Sequence, residues 1–470
     1  MQFTDLIFLF VFLPALLVVY YVVKPRFRNI VLILFSLFFY ACGSLNFFGL
    51  LLIILMADVG IVKLIIAFRN DQRIISKLLL IVGIIINLGI LGYYKYSDFA
   101  ISNINQLFGT DFSSKNLLLP LGLSFFTFKA ISYLIDAYKG IIKTADNIQG
   151  LTYLSFFGQI QSGPIARYSD FNTINHLIQS SCFYNGVVRF MIGFSKKVLI
   201  ADVLSNITIE IFDQTQAVST PIAWLGAICY SLQLYYDFSG YSDMAIGISG
   251  MLGLYCPENF NYPYMTKSIS EFWRRWHITL GAWFRDYVYI PMGGSRVGKM
   301  RLYLNLFVVW ILTGIWHGAG WTFIVWGVGY FILIAIEKSL NIPNRFKNKV
   351  VKLCYRLFSL LFIIVQWVIF RSNNLEQGFS YVQSMFGGSE SIASSTARAI
   401  FLFRDYSVFI AIALILAFPI APKIEYLCKK KKLTSVIYDI ISAFLIITAF
   451  IIALSFIVSG QNSPFLYGNF

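Results

Sequence analysis

Residues 301–340 read RLYLNLFVVWILTGIWHGAGWTFIVWGVGYFILIAIEKSL. Two apolar runs, Leu302–Trp316 and Trp321–Ile336, flank a glycine-rich island that carries His317. Each run approaches the roughly 20 residues that cross a bilayer as a helix. Gly314, Gly318, Ala319 and Gly320 clear space around the imidazole. Small residues there serve either close helix packing or close approach of a substrate. An ionisable group carried to membrane depth is costly. His317 therefore reads either as a histidine hydrogen-bonded between helices or as a functional group.

The rest of the chain repeats the pattern. Of its 470 residues, 58% are hydrophobic and 13% are charged, against about 45–50% and about 25% in an ordinary soluble domain. That balance excludes a water-soluble globular enzyme, a disordered chain and a disulfide scaffold. Further apolar runs lie at 6–23, 30–42, 47–67, 78–93, 117–137, 186–203, 222–236, 352–370, 406–418 and 436–458. Twelve spans use roughly 240 residues, which leaves ample chain for loops, partial helices and a site. The fold class is an all-α polytopic membrane protein, with about 11–12 transmembrane helices in one domain over residues 1–470.

The 37 Lys+Arg against 22 Asp+Glu leave a net charge of +15. The basic residues sit at the ends of apolar runs: Lys24, Arg26 and Arg28; Arg69, Arg73 and Lys77; Lys429 to Lys432. There they set topology and meet anionic headgroups, and they place the N-terminus outside. No basic stretch interleaves with stacking aromatics in a soluble domain, so nucleic acid is not an expected partner. The six cysteines show no CxxC spacing and read as free thiols, and no metal-ligand spacing is present.

Segments 150–170, 238–256 and 258–295 mix glycine, proline, aromatics and charges. Irregular backbone at membrane depth is tolerated only where protein or a water-filled cavity covers it. These segments therefore read as re-entrant or interfacial pieces around a site. In 156–167, Gln159, Gln161 and Arg167 line a tunnel or simply satisfy backbone. Asp237 and Asp243 lie in an aromatic, glycine-broken stretch, and each needs a partner, for which Arg274 and Arg275 are candidates. Residues 269–280 predict an amphipathic helix, with Phe272, Trp273, Trp276 and Leu280 on one face. Lys267, Glu271, Arg274 and Arg275 populate the other. His277, one of three histidines with His176 and His317, is incidental to a surface helix or part of a site. Arg285 and Asp286 are adjacent, so on a helix they point apart and need not pair. Gly293-Gly294, followed by Ser295, Arg296 and Lys299, reads as a basic turn at the headgroups or as a phosphate cradle for a nucleotide-bearing donor.

Taken as an ordered set, the islands are specific. Tyr236-Asp-Phe-Ser-Gly-Tyr-Ser-Asp243, Asn259-Phe-Asn-Tyr-Pro263, Glu271-Phe-Trp-Arg-Arg-Trp-His277, Trp283-Phe-Arg-Asp-Tyr-Val-Tyr-Ile-Pro291 and Trp316-His-Gly-Ala319 resemble the membrane-bound O-acyltransferase (MBOAT) family. The likeness is to its bacterial branch typified by an alginate O-acetyltransferase subunit. Phe126-Thr-Phe128, Gly163-Pro-Ile-Ala-Arg167 and Phe370-Arg-Ser372 fit the same pattern. The resemblance implies helices around a central tunnel, with the motif-rich core at 150–320. It implies acyl transfer from a cytoplasmic thioester donor, acetyl-CoA, with no bound cofactor, in the cytoplasmic membrane of a bacterium.

On that resemblance His317 is the general base, and His277 orients the donor or stabilises the oxyanion. Asp237, Asp243, Asn259, Asn261, Trp273, Arg274, Arg275, Arg285, Asp286 and Trp316 are the matching candidates for donor or substrate binding. The acceptor implied is an exported or cell-surface polysaccharide, reached through an extracytoplasmic SGNH-type partner. Two other readings stay open. One is D-alanyl transfer from a carrier protein to teichoic acid, and the other is a transporter without chemistry.

Overall fold

The computed structural model describes residues 1–172, 180–213, 218–388, 393–460 and 463–466. His176 lies outside them. Among the described residues the regular elements are helices, with no strand. Eight helices among the described residues are long and apolar enough to cross a membrane: Pro25–Gly43, Leu45–Phe68, Arg73–Phe108, Lys299–His317, Trp321–Leu340, Lys349–Arg371, Ala397–Leu416 and Lys432–Val458. The shorter apolar stretch Phe8–Val22 begins with a π-helical turn. The 32-residue helix Thr220–Met251 is long enough to cross, but Gln233, Asp237 and several tyrosines dilute its apolar character. In Lys432–Val458, Phe444, Ile451 and Val458 all stand exposed. Apolar surface left in water costs about 25 cal/mol per Å², and a lipid surround removes that cost.

The chain packs as two compact units. The first holds residues 1–190 and 242–258, and the second holds residues 191–241 and 259–466.

In the first unit residues 161–167 are unwound, within the stretch 156–167 where the sequence anticipates it. Helices Asn147–Ser155 and Phe157–Ile160 give way to irregular chain before Tyr168–Asn172. Residues 152–166 are buried throughout, so their main-chain groups need internal partners. Tyr153 carbonyl accepts from Lys129 Nζ at 2.6 Å, and Tyr153 hydroxyl donates to Ala166 carbonyl at 3.0 Å. Gln159 Nε2 donates to Cys256 Sγ at 3.3 Å. Gly122, at φ +70°, lets Ile160 carbonyl approach to where a Cβ would lie 2.1 Å away.

The stretch 238–251 differs from its sequence reading. It is continuous helix, the end of Thr220–Met251, rather than re-entrant or glycine-broken chain. Its glycines serve contact. A Cβ on Gly240 would lie 2.8 Å from Gly193 carbonyl oxygen, and one on Gly247 would lie 2.6 Å from Gly186 carbonyl oxygen. Small residues at such crossings let backbones meet, and a helix covered by a neighbour tolerates them without breaking.

In the second unit, Lys299–His317 and Trp321–Leu340 form a tight hairpin. A Cβ on Gly314 would lie 2.5 Å from Phe323 carbonyl oxygen, and one on Gly327 would lie 2.5 Å from Trp310 carbonyl oxygen. Gly318 makes room for the Phe323 ring, which a Cβ would meet at 2.1 Å. Of the two uses open to the glycines around His317, these positions serve close packing.

Candidate active site

His317 is the last residue of its helix, and extended Gly318 follows. The imidazole is buried among aromatic rings. It meets Trp326 at 5.0 Å and 82°, Phe370 at 5.2 Å and 81°, and Trp316 at 4.9 Å and 71°. Three near-perpendicular rings fix its plane. Phe370 comes from Lys349–Arg371, so three helices build the box.

His277 also contacts Trp316, with ring centroids 6.0 Å apart. The continuous amphipathic helix expected over 269–280 is interrupted here. Helix Ile269–Arg275 ends, Trp276 is extended, and His277 takes φ 45° and ψ 53° before Ile278–Phe284 begins. That left-handed conformation costs a non-glycine residue roughly 1–2 kcal/mol. Asn259 offsets it. Its carbonyl accepts from Ile278 N–H at 3.0 Å. Its Oδ1 accepts from Thr279 N–H at 3.3 Å and Thr279 hydroxyl at 2.8 Å, and lies 3.1 Å from His277 Nδ1. Phe238 stands edge-on to the His277 ring at 4.7 Å and 86°. His277 falls outside the eight candidate spans, and burial pushes its imidazole down to about 3. The ring is therefore neutral across the physiological range.

A carboxylate that sequence reasoning missed holds the preceding helix. Glu337 is buried near the end of Trp321–Leu340. It accepts from Ile269 N–H at 2.7 Å, Ser270 N–H at 2.8 Å and Tyr355 hydroxyl at 2.7 Å. The first two are orphan donors at the N-terminus of Ile269–Arg275, where a negative charge is favoured. Ser268 caps Glu271 N–H at 3.1 Å from the same end. Hydrogen bonds to a charged group contribute about 1.5–3 kcal/mol each. Glu337→Ala is therefore expected to lower the thermal unfolding temperature clearly and to loosen the segment leading to His277. Unfolding of the purified protein at the wild-type temperature would sink this reading.

The other expected residues divide. Trp316 and Asn259 join the histidines. Trp273 packs on Trp310 at 4.9 Å and Tyr330 at 4.9 Å, as part of the wall. Arg274 is exposed, and Arg275 pairs with Glu271 at 2.8 Å. Asn261 is exposed and engages through its main chain, donating to Arg275 carbonyl at 2.9 Å. Arg285 and Asp286 do pair, at 2.7 Å, on the π-helical turn Arg285–Tyr289.

Neither aspartate of 237 and 243 uses Arg274 or Arg275. Asp243 pairs with Arg189 at 2.7 Å in the first unit. Asp237 pairs with Lys197 at 2.6 Å in the second. Both cations lie within the run 186–203 that reads as an ordinary span. Lys196, Lys197 and Asp202 inside that run were the available signal.

A family model described as MBOAT, membrane-bound O-acyltransferase family, matches residues 8–370. The chain is 40% identical over 411 residues to a "Probable alginate O-acetylase AlgI" of Azotobacter vinelandii, covering 85% of this chain and 81% of that one. It is 34% identical over 417 residues to a "Peptidoglycan O-acetyltransferase" of Helicobacter pylori, covering 81% and 79%. A "Teichoic acid D-alanyltransferase" of Bacillus subtilis is 32% identical over 246 residues, covering 49% of this chain and 62% of that protein.

Proposed function

Since the chain belongs to the membrane-bound O-acyltransferase family, we propose that this enzyme moves an acetyl group from a cytoplasmic thioester to hydroxyls of an exported or cell-surface polysaccharide. The observation that carries this reading is His317, buried at a helix end in its box of Trp316, Trp326 and Phe370. Relatives of similar length named for acetylation of alginate and of peptidoglycan support the acyl group and the acceptor class.

The donor in this reading is acetyl-CoA. The acceptor oxygen bonds to the thioester carbonyl carbon as His317 takes the hydroxyl proton. The carbon–sulfur bond then breaks, and the proton leaves with the thiolate as free thiol. A site in a membrane-spanning fold, with the N-terminus outside, reconciles a donor on one side with an acceptor on the other. An extracytoplasmic SGNH-type partner completes the relay, and its serine hydroxyl is then the group that His317 activates. The match to the D-alanyltransferase covers half the chain, so acetyl transfer is the better supported chemistry.

The test compares alkali-labile acetate and D-alanine on surface polymers from cells carrying the wild-type protein or His317→Ala, at equal protein levels. Loss of acetate alone is the expected result. Loss of D-alanine alone would move the protein to teichoic-acid chemistry. No change in either ester would overturn the acyl-transfer reading for these polymers.

A further inference from the structure

Asn259 and His277 carry an inference that deepens the acyl-transfer reading and rests on it. It begins from a donor that has no choice. A main-chain N–H only donates. Thr279 N–H meets Asn259 at 3.3 Å, so the atom it meets is the amide oxygen, and the orientation of the Asn259 side chain is settled by chemistry. The Thr279 hydroxyl, 2.8 Å from the same oxygen, agrees with that orientation. This oxygen also faces His277 Nδ1 at 3.1 Å. Two lone pairs at that distance repel, so Nδ1 carries the hydrogen. A neutral imidazole has one N–H, and Nε2 therefore presents a lone pair.

We infer that Asn259 is a positioning residue that locks His277 as the Nδ1–H tautomer, so that Nε2 accepts a hydrogen bond from an O–H or N–H of the bound substrates. The same side chain and its carbonyl hold the backbone of 277–279 in its left-handed turn. One residue thus sets both where the ring sits and which nitrogen accepts. The consequence for the chemistry is specific. A ring nitrogen with a lone pair does not stabilise an oxyanion, which requires a donor. His277 therefore meets a donor group: the acceptor hydroxyl, or an amide N–H of the thioester's arm. Both this ring and that of His317 contact the Trp316 indole, and the tautomer gives His277 a task distinct from that of His317.

The test has two arms. The chain has three histidines, so histidine labelled with ¹⁵N gives few signals, and His277→Asn identifies one set by its disappearance. In the wild-type protein, reconstituted in lipid, His277 is expected to show a protonated Nδ1 and an unprotonated Nε2. Asn259→Asp, which keeps the acceptor oxygen, should preserve that signature. Asn259→Ala should let the Nε2–H form appear. A wild-type His277 protonated at Nε2 overturns the inference, and this reading needs no variant of Asn259 to fold.

The second arm measures acetyl transfer from acetyl-CoA. Asn259→Ala should lower kcat by about tenfold or more, the scale of lost orienting partners, with KM little changed. Unchanged kcat in a folded Asn259→Ala protein also overturns the inference. Absence of acetyl transfer by the wild-type protein itself would count against the functional reading, while the tautomer signals still decide the structural claim.

Discussion

Replacing His317 by alanine is expected to lower acetyl transfer by about 10²–10⁴-fold, the range that a positioned general base contributes. The expectation rests on placement. Three rings hold the imidazole in one plane, so its lone pair has a fixed aim and little orientational entropy to lose in the transition state. The substitution also opens a cavity, and truncating a large buried side chain costs about 2–5 kcal/mol. A stability loss of that size would confound a cellular assay. His317→Gln fills most of the volume and keeps hydrogen-bonding atoms, but it cannot take and return a proton near neutral pH. Both variants should lose turnover, while His317→Gln should unfold close to the wild-type temperature. A His317→Gln protein with near wild-type kcat would remove the base assignment, whatever its stability.

The polytopic fold and the position of His317 were legible because each rests on local pattern. Apolar runs flanked by basic residues need no partner to be recognised, and a histidine at the end of such a run stands out by its cost. The features that the sequence concealed depend on contacts distant in the chain. The break at His277 is made by Asn259, 18 residues earlier, and nothing within 269–280 announces a left-handed residue. The pattern there reads as one helix because both halves keep their apolar faces. Gly240 and Gly247 read as helix breakers because glycine has that meaning in isolated helices. Against Gly193 and Gly186 they are what allows contact. Glu337 follows an apolar run, and nothing near it in the sequence marks it as a cap. Its role as a cap on Ile269–Arg275 requires knowing that the two segments meet.

The same blindness applied to Lys197, whose replacement is expected to have the largest effect on stability. Lys197 and Asp202 lie five residues apart. In an α-helix that spacing turns side chains away from each other, but Lys196–Asp202 is a π-helical turn, whose i to i+5 repeat aligns them. Lys197 Nζ reaches Asp202 Oδ1 at 2.6 Å and Asp237 Oδ1 at 2.6 Å, with all three side chains at most 3% exposed. The segment 463–466 closes over the cluster. Ser463 hydroxyl donates to Asp202, Leu466 N–H donates to Asp237 Oδ2 at 3.0 Å, and the Phe465 ring lies 4.6 Å from Nζ. One ammonium thus pairs with two carboxylates in a buried space. Lys197→Met fills the volume but leaves both carboxylates without their cation. Breaking a buried ionic pair from one side costs about 3–5 kcal/mol, and here two partners are stranded at once. The expected result is a large drop in thermal unfolding temperature, with protease access to 463–466. Converting the carboxylates as well, in Lys197→Met with Asp202→Asn and Asp237→Asn, should recover most of the loss, because no buried charge remains uncompensated. If Lys197→Met unfolds like the wild-type protein, the cluster is not held by its charges. If the triple variant is no more stable than Lys197→Met, the defect lies in packing rather than in stranded carboxylates.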